Sequence, residues 1–231
     1  MPSVSIIVPV LNEALTMDAV LNHLARTFPD CELIVVDGGS SDHTVATAQP
    51  YAMVIISERG RARQMNTGAK VSSGDILWFV HADSYVYAAS LSTILQTMEN
   101  PAVVGGGLTL QFQEATVGLR MIAALSNLRA RWLHWIFGDQ SLFVRRHAFE
   151  AVGGFPLLPI MEDLEISRRL KRIGQLVLLP TTSQTSARRF LENGTGRTFL
   201  RMQLLKIAYF LGMPPEDLVK HYAKTMRREK K

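Results

Sequence analysis

An α/β fold, with a mainly parallel sheet covered by helices on both faces, is predicted by three observations. Short β-branched apolar runs recur along the first part of the chain. A helical pattern follows each run, and carboxylates stand just past three of the runs. Val4 to Val8 is the first strand, ended by Pro9. Asn12 then caps a helix whose apolar positions are Leu15, Val20, Leu21 and Leu24. Leu33 to Val36 is the second strand, with Cys31 at its edge and Asp37-Gly38-Gly39-Ser40-Ser41-Asp42 as its exit loop. Asp42 is read as the cap of a short helix. Met53 to Ile56 is the third strand, Ala62 to Lys70 a helix, and Ile76 to Val80 the fourth strand.

Beyond Asp83 the pattern changes. Ala88 to Met98 reads as a helix, Val103 to Gln111 as a strand, and Val117 to Trp135 as a helix carrying Arg120, Arg129 and Arg131. Glu162 to Ile173 is a helix with acids at its start and bases at its end, as the helix dipole favours. No repeat or flexible linker breaks the chain. The simplest division is one domain over residues 1–190 and a helical extension with a basic tail over residues 191–231.

The bulk properties bound the function. The 231 residues are 47% hydrophobic, enough for one substantial core. A single cysteine excludes a disulfide framework and a cysteine-rich zinc site. No apolar run is long enough to span a bilayer, and Met1 to Ser5 lacks the basic start of a signal peptide, so a cytoplasmic location is expected. The net charge of +5 fits a phosphorylated substrate, an anionic lipid or nucleic acid. No nucleic-acid partner is expected, because the basic residues are not interleaved with aromatics. Much of the excess lies in the tail, at Lys220, Lys224, Arg227, Arg228, Lys230 and Lys231.

In parallel sheets, ligands bind at the carboxyl ends of the strands. That rule picks out Pro9 to Glu13, Asp37 to Asp42 and His81 to Asp83, each with a carboxylate. Asp37 suits a base N–H or a ribose hydroxyl, or else an Asx turn. A lone carboxylate such as Asp83 past a buried strand suits a divalent cation shared with a diphosphate. His81 adds a nitrogen and tilts the preference from Mg²⁺ toward Mn²⁺, unless it packs under the loop. Arg61, Arg63 and Asn66 lie in the first turns of a helix opened by Gly60, a place suited to phosphate. Glu162, Asp163 and Glu165 start another helix, where acids are favoured anyway. Functionally, one of them is a base for an acceptor hydroxyl. Asp139 and Gln140, and Arg188 and Arg189, form two polar islands beside apolar segments.

The ordered set resembles the family 2 glycosyltransferases. The pieces are Val8-Pro9-Val10-Leu11-Asn12-Glu13, Val36-Asp37-Gly38-Gly39-Ser40-Ser41-Asp42, Gly60 to Ala69, His81-Ala82-Asp83, Gly153-Gly154-Phe155-Pro156 and Glu162-Asp163. The resemblance implies a Rossmann-like GT-A fold that binds nucleotide sugars. It implies that Pro9, Glu13 and Asp37 contact the nucleoside, with UDP favoured. Asp83 matches the last acid of the family's Asp-X-Asp metal motif, in which His81 replaces the first. Asp163 matches the family's catalytic base. Asp139, Gln140, Glu162, Arg188 and Arg189 are then assigned to the acceptor and diphosphate region. The expected activity is inverting, metal-dependent transfer from a nucleoside-diphosphate sugar to a small-molecule or lipid-linked acceptor, with Mn²⁺ or Mg²⁺. The Gln-X-X-Arg-Trp motif of processive synthases is absent.

Among the rivals, a nucleotidyltransferase would show a glycine-rich basic loop after the first strand, where Leu11-Asn12-Glu13 stands. A dinucleotide oxidoreductase would need Gly-X-Gly-X-X-Gly there. A non-catalytic nucleotide-sugar-binding protein is the remaining alternative. Thr198 to Met213 is apolar on more than one face, and Arg201 and Lys206 are its charges. Such a helix packs on the core or on a second copy in a homodimer. The sharper expectation is peripheral attachment to the inner face of a membrane.

Overall fold

The computed structural model describes residues 2–114 and 116–220, so Lys224 to Lys231 of the basic tail lie outside the described residues. The chain opens with β1 (Val4–Val10), α1 (Ala14–Thr27), β2 (Glu32–Asp37), α2 (Thr44–Ala48), β3 (Met53–Ile56), α3 (Arg61–Val71) and β4 (Ile76–Phe79). It continues with β5 (Ser84–Val86), α4 (Ala88–Thr97), β6 (Val103–Phe112) and α5 (Val117–Leu133). A 3-10 turn at Gly138–Gln140 precedes β7 (Phe143–Arg145), α6 (Arg146–Ala151) and α7 (Glu162–Lys171). β8 (Gln175–Thr185), α8 (Arg188–Glu192) and α9 (Thr195–Phe210) follow.

The strands form one sheet in the order β3-β2-β1-β4-β7-β6-β8-β5. The first four are parallel, as the alternation predicts. The second half is mixed: β7 runs antiparallel to β4 and β6, β6 and β8 are parallel, and β5 is antiparallel to β8.

Alternation of side chains feeds two cores. Ile6, Val8, Val35 and Trp78 point to the face covered by Met17, Leu21 and Leu24 of α1 and Ile94 of α4. Ile7, Ile34, Val36, Leu77 and Phe79 point to the other face, under Met65 and Ala69 of α3 and Ile166 and Leu170 of α7. Burying each such side chain contributes roughly 1.5–3 kcal/mol. A third cluster joins Leu110 and Phe112 of β6, Leu119 and Ile122 of α5, and Phe190 of α8, with Phe199 and Met202 of α9 packed against it.

Four local expectations are corrected. Pro9 does not end β1; it pairs with Val36 inside the strand. Its missing N–H is tolerated because pairing of β1 with β4 has already stopped at Ile7. Asn12 does not cap α1. It takes a left-handed φ of 55°, and its Oδ1 accepts from Ser41 N at 2.8 Å. Leu15 is fully exposed, and Met17 takes its place on the buried face of α1. Asp42 stands one residue before the His43 cap position of α2, where it accepts from Thr44 N at 3.0 Å and Ala14 N at 3.3 Å.

Gly106 lies where β6 passes between β7 and β8, and a Cβ there would overlap the Val177 carbonyl oxygen. Gly106→Ala is therefore expected to destabilise the fold by about 1–3 kcal/mol or more, read as a lower midpoint in urea.

Candidate active site at the carboxyl ends of the strands

The loops after β1 and β2 are bound together. Asn12 N donates to Ser40 Oγ at 2.8 Å, and Glu13 N donates to Thr44 Oγ1 at 2.9 Å. Asp37 is buried, and its Oδ2 accepts from Gly39 N and Ser40 N, both at 2.8 Å. Its other oxygen accepts from the Ser40 hydroxyl. The carboxylate thus builds the turn that follows β2. The Glu13 carboxylate accepts from Thr16 Oγ1 at 2.7 Å.

Gln64 was not singled out by sequence reasoning. Its buried amide donates to Val10 O at 2.7 Å and Val36 O at 2.9 Å, joining the ends of β1 and β2. Gly38 makes the room, since a Cβ there would lie 3.0 Å from the Gln64 amide. A signal was present: a polar residue on the helix face otherwise made of Ala62, Met65 and Ala69.

A cavity of about 380 Å³ opens at the first turns of α3 and α7. It brings together eight of the singled-out residues: Arg61, His81, Asp83, Asp139, Glu162, Asp163, Arg188 and Arg189. Pro9, Glu13, Asp37, Arg63, Asn66 and Gln140 do not line it. Arg63 pairs with Glu58 at 2.8 Å. Asn66 clamps the Phe155 backbone, donating to its carbonyl at 2.8 Å and accepting from its N–H at 2.9 Å. Gln140 is buried and accepts from Arg129 Nη2 at 2.9 Å.

Asp163 sits in the first turn of α7, after Met161 in a left-handed φ of 70°. Its Oδ2 accepts from Gly138 N at 2.9 Å. Arg61 Nη1 stands 3.3 Å from Glu162 and 3.7 Å from Asp163. Burial first, and the Glu162 charge second, push the Asp163 carboxyl up to about 7. Arg61, the Gly138 N–H and Arg129 pull in the opposite direction and are outweighed.

The 3-10 turn that donates to Asp163 is held from several sides. Arg129 of α5 lies 3.9 Å over the Phe137 ring, and Ser183 Oγ donates to Asp139 O at 2.9 Å. The Asp139 carboxyl is raised, chiefly by burial, and its Oδ1 is buried without a hydrogen-bond partner. His81 packs beneath the turn, so a Cβ on Gly138 would overlap its ring. Burial, then Arg61 and Arg189, lower His81 to about 3, which keeps the imidazole neutral at ordinary pH. Gly138→Ala should therefore displace His81 and the donor to Asp163 together. We expect a loss of at least tenfold in turnover with a falling melting temperature, measured on the same sample.

The donor set fits a cation that is also held by a diphosphate. A neutral imidazole with a buried, unpartnered Nε2 and the Asp83 carboxylate stand on one short loop. No group of three or more metal-ligating side chains exists among the described residues, so phosphate oxygens would have to complete the shell.

Lys206 of α9 also lines the cavity, with Met202 and Leu205. Burial first, then Arg129, lower its ammonium to about 8, while Asp139 opposes the change. In the sequence Lys206 is one of two charges in the apolar stretch Thr198 to Met213 and belongs to no motif.

The same fold occurs in a mannosyltransferase of Pyrobaculum calidifontis solved with GDP-Man and Mn²⁺. That likeness has 20% identity and a TM-score of 0.67, and covers 98% of this chain and 64% of that one. It occurs also in the glucosyl-3-phosphoglycerate synthase of Mycobacterium tuberculosis solved with Mn²⁺ and UDP. Here identity is 17% and the TM-score 0.65, over 92% of this chain and 81% of that one. These likenesses define the class as the GT-A fold of glycosyltransferases. The chain belongs to glycosyl transferase family 2, whose family model matches residues 5–158. It is 28% identical to the glycosyltransferase AglE of Haloferax volcanii, over 68% of this chain and 57% of that protein. It is 39% identical over 97 residues to a PGL/p-HBAD biosynthesis glycosyltransferase of Mycobacterium tuberculosis, which is 38% of each chain. The matched stretch thus spans little more than half of the first relative and less of the second.

Proposed function

We propose that the chain moves a sugar from a nucleoside-diphosphate sugar, UDP favoured, to an acceptor hydroxyl with inversion at the sugar carbon. One observation carries this reading. Asp163 is a largely enclosed carboxyl, held well above the ordinary carboxylate range, that lines the same cavity as Asp83 and His81. Such a group takes a proton near neutral pH, as a general base must. The acceptor O–H gives its proton to Asp163, and its oxygen bonds to the anomeric carbon. The bond from that carbon to the diphosphate oxygen breaks, and the nucleoside diphosphate leaves with the electron pair.

Arg61, Arg188 and Arg189 are suited to the phosphate charge. Asp83 and His81 are the residues that would hold Mn²⁺ or Mg²⁺. When bound, such an ion neutralises charge on the departing diphosphate. The turn built by Asp37 and closed by Gln64 supports a role for Pro9, Glu13 and Asp37 in seating the nucleoside. Phe112, Phe137, Phe190, Met202 and Leu205 give the cavity an apolar wall, which favours an acceptor with an apolar portion. We assign residues 1–190 to the transferase domain and residues 191–231 to an extension that contributes to that wall.

The test is a panel of nucleotide sugars, with and without Mn²⁺. Thermal protection and release of nucleoside diphosphate are followed together. Protection and slow metal-dependent hydrolysis by one donor are expected. Protection without any turnover, across a panel of acceptor alcohols, would leave a nucleotide-sugar-binding protein.

A further inference from the structure

α5 and α9 run side by side in the same direction. A Cβ on Gly118, near the start of α5, would lie 3.4 Å from Thr195 at the start of α9. At the far ends, Trp135 stacks on Phe210 with ring centroids 5.1 Å apart. Both helices bury one face over the same cluster: Leu119, Ile122 and Ala123 from α5, Phe199 and Met202 from α9. Their remaining faces turn away from it.

Those outer faces are apolar. On α5 the exposed residues Val117, Met121, Leu125, Leu128 and Trp132 are spaced by three and four, a single stripe along the helix. On α9 the stripe is Leu200, Leu204, Ile207 and, just past the helix, Leu211. Trp132 is 71% exposed and Leu211 83% exposed. The stripes are edged by cations. Arg120 and Arg131 follow one side of the α5 stripe, and Arg197 and Arg201 one side of the α9 stripe. Neither helix contains an aspartate or glutamate.

We propose that this two-helix face docks on an anionic lipid surface. Thr198 to Met213 alone pointed that way in the sequence; α5 doubles the surface and supplies its tryptophan. The charge pattern decides the occupant. An apolar stripe beside a basic edge, on helices that carry no acidic residue of their own, with an exposed tryptophan, matches helices that lie in the lipid headgroup region. A second copy on the same face would bring the arginine edges of both copies into one interface, where like charges repel. The surface stands independently of the sugar-transfer reading, and it would hold the cavity near a lipid-linked acceptor. α9 serves both sides, with Met202, Leu205 and Lys206 on the cavity and its leucine stripe outward. Deleting the helix would therefore disturb both, so point substitutions at exposed positions are the cleaner probe.

The experiment is co-sedimentation of the full chain with phosphatidylcholine vesicles, with and without about one third phosphatidylglycerol, at low and high salt. Binding to the anionic vesicles, weakened by salt, is expected. Met121→Glu with Trp132→Glu, and separately Leu200→Glu with Leu204→Glu, should each weaken it by roughly tenfold or more. Arg120→Glu with Arg131→Glu should cost roughly fivefold per arginine at least. Donor hydrolysis measured without vesicles should be unchanged in all three. Failure of the full chain to bind anionic vesicles at low salt overturns the proposal, and so does equal binding by the variants. A concentration-dependent dimer that the same substitutions dissociate, with no vesicle binding, assigns the face to a second copy and also overturns it. Vesicle binding by a chain that turns over no donor, with or without acceptor alcohols, supports the surface and sinks the transferase reading alone.

Discussion

Asp163→Asn is expected to reduce sugar transfer by about 10²–10⁴-fold while donor binding changes little. The amide keeps the shape and can still accept from Gly138 N, but it cannot take a proton. The wild-type rate at low substrate should rise with pH toward neutrality, as the enclosed carboxyl with its raised pKa ionises, and the variant should lack that limb. Stability gives an independent readout. The folded-state pKa of Asp163 lies above its ordinary value of 3.8. Between those two values the folded chain binds more protons than the unfolded one, so this group's contribution falls as pH rises through the window. Asp163→Asn removes that dependence. Its melting temperature relative to wild type should therefore climb from pH 5 to pH 8, by scanning calorimetry. A variant that transfers at near wild-type rate would return Asp163 to a helix-start acid and make Glu162 the next base to test.

Asp83→Ala is expected to abolish the Mn²⁺-dependent part of donor binding, a loss of roughly 10–100-fold in affinity by calorimetry with UDP. The fold should survive. The Asp83 side chain is recorded in one long contact, 3.5 Å from the Ser84 hydroxyl, while its backbone carbonyl accepts from Ser186 N at 3.3 Å and is kept in the variant. Equal affinity for UDP with Mn²⁺ in mutant and wild type would sink the metal role. His81 is the poorer probe, because its buried ring also supports the turn that carries Gly138.

The half of the fold that was legible from sequence is the half made of repeated strand and helix. β1, β2 and β4 announce themselves because each packs side chains into both cores and reads as a continuous apolar run, and β3, at the sheet edge with Met53 and Ile56 exposed, still reads as a short β-branched apolar run. β5 and β7 escape because three residues carry no period. β8 escapes for another reason. It runs from Gln175 to Thr185 with Pro180 inside it, and proline argues against a central strand. The register explains the exception. Pairing passes from Leu108 with Leu179 directly to Thr109 with Thr182, so Pro180 and Thr181 bulge out of the ladder.

The candidate site divides in the same way. Arg61, His81, Asp83, Asp139, Glu162, Asp163, Arg188 and Arg189 were found because chemistry-bearing residues cluster in motifs, and the fold brings those motifs to one cavity. Asn66 and Gln140 belong to the same motifs but make hydrogen bonds within the fold, to Phe155 and Arg129. A motif does not say which of its members faces outward. Lys206 was missed for the opposite reason: it belongs to no motif and reaches the cavity through the packing of a distant helix.

The pairing of β5 has a consequence for the order in which the chain acquires its site during synthesis. β5 follows directly on Asp83, and its sheet partner is β8, through Ser84 with Thr185 and Val86 with Ser183. A nascent chain leaving the ribosome from its amino end can assemble the four parallel strands early, since their partners lie close in sequence. The segment carrying His81 and Asp83 must wait until residues 183–185 have emerged, and the wall made by Met202, Leu205 and Lys206 comes later still. A ribosome stalled between those two stretches should present a folded parallel half whose cavity is still open on one side.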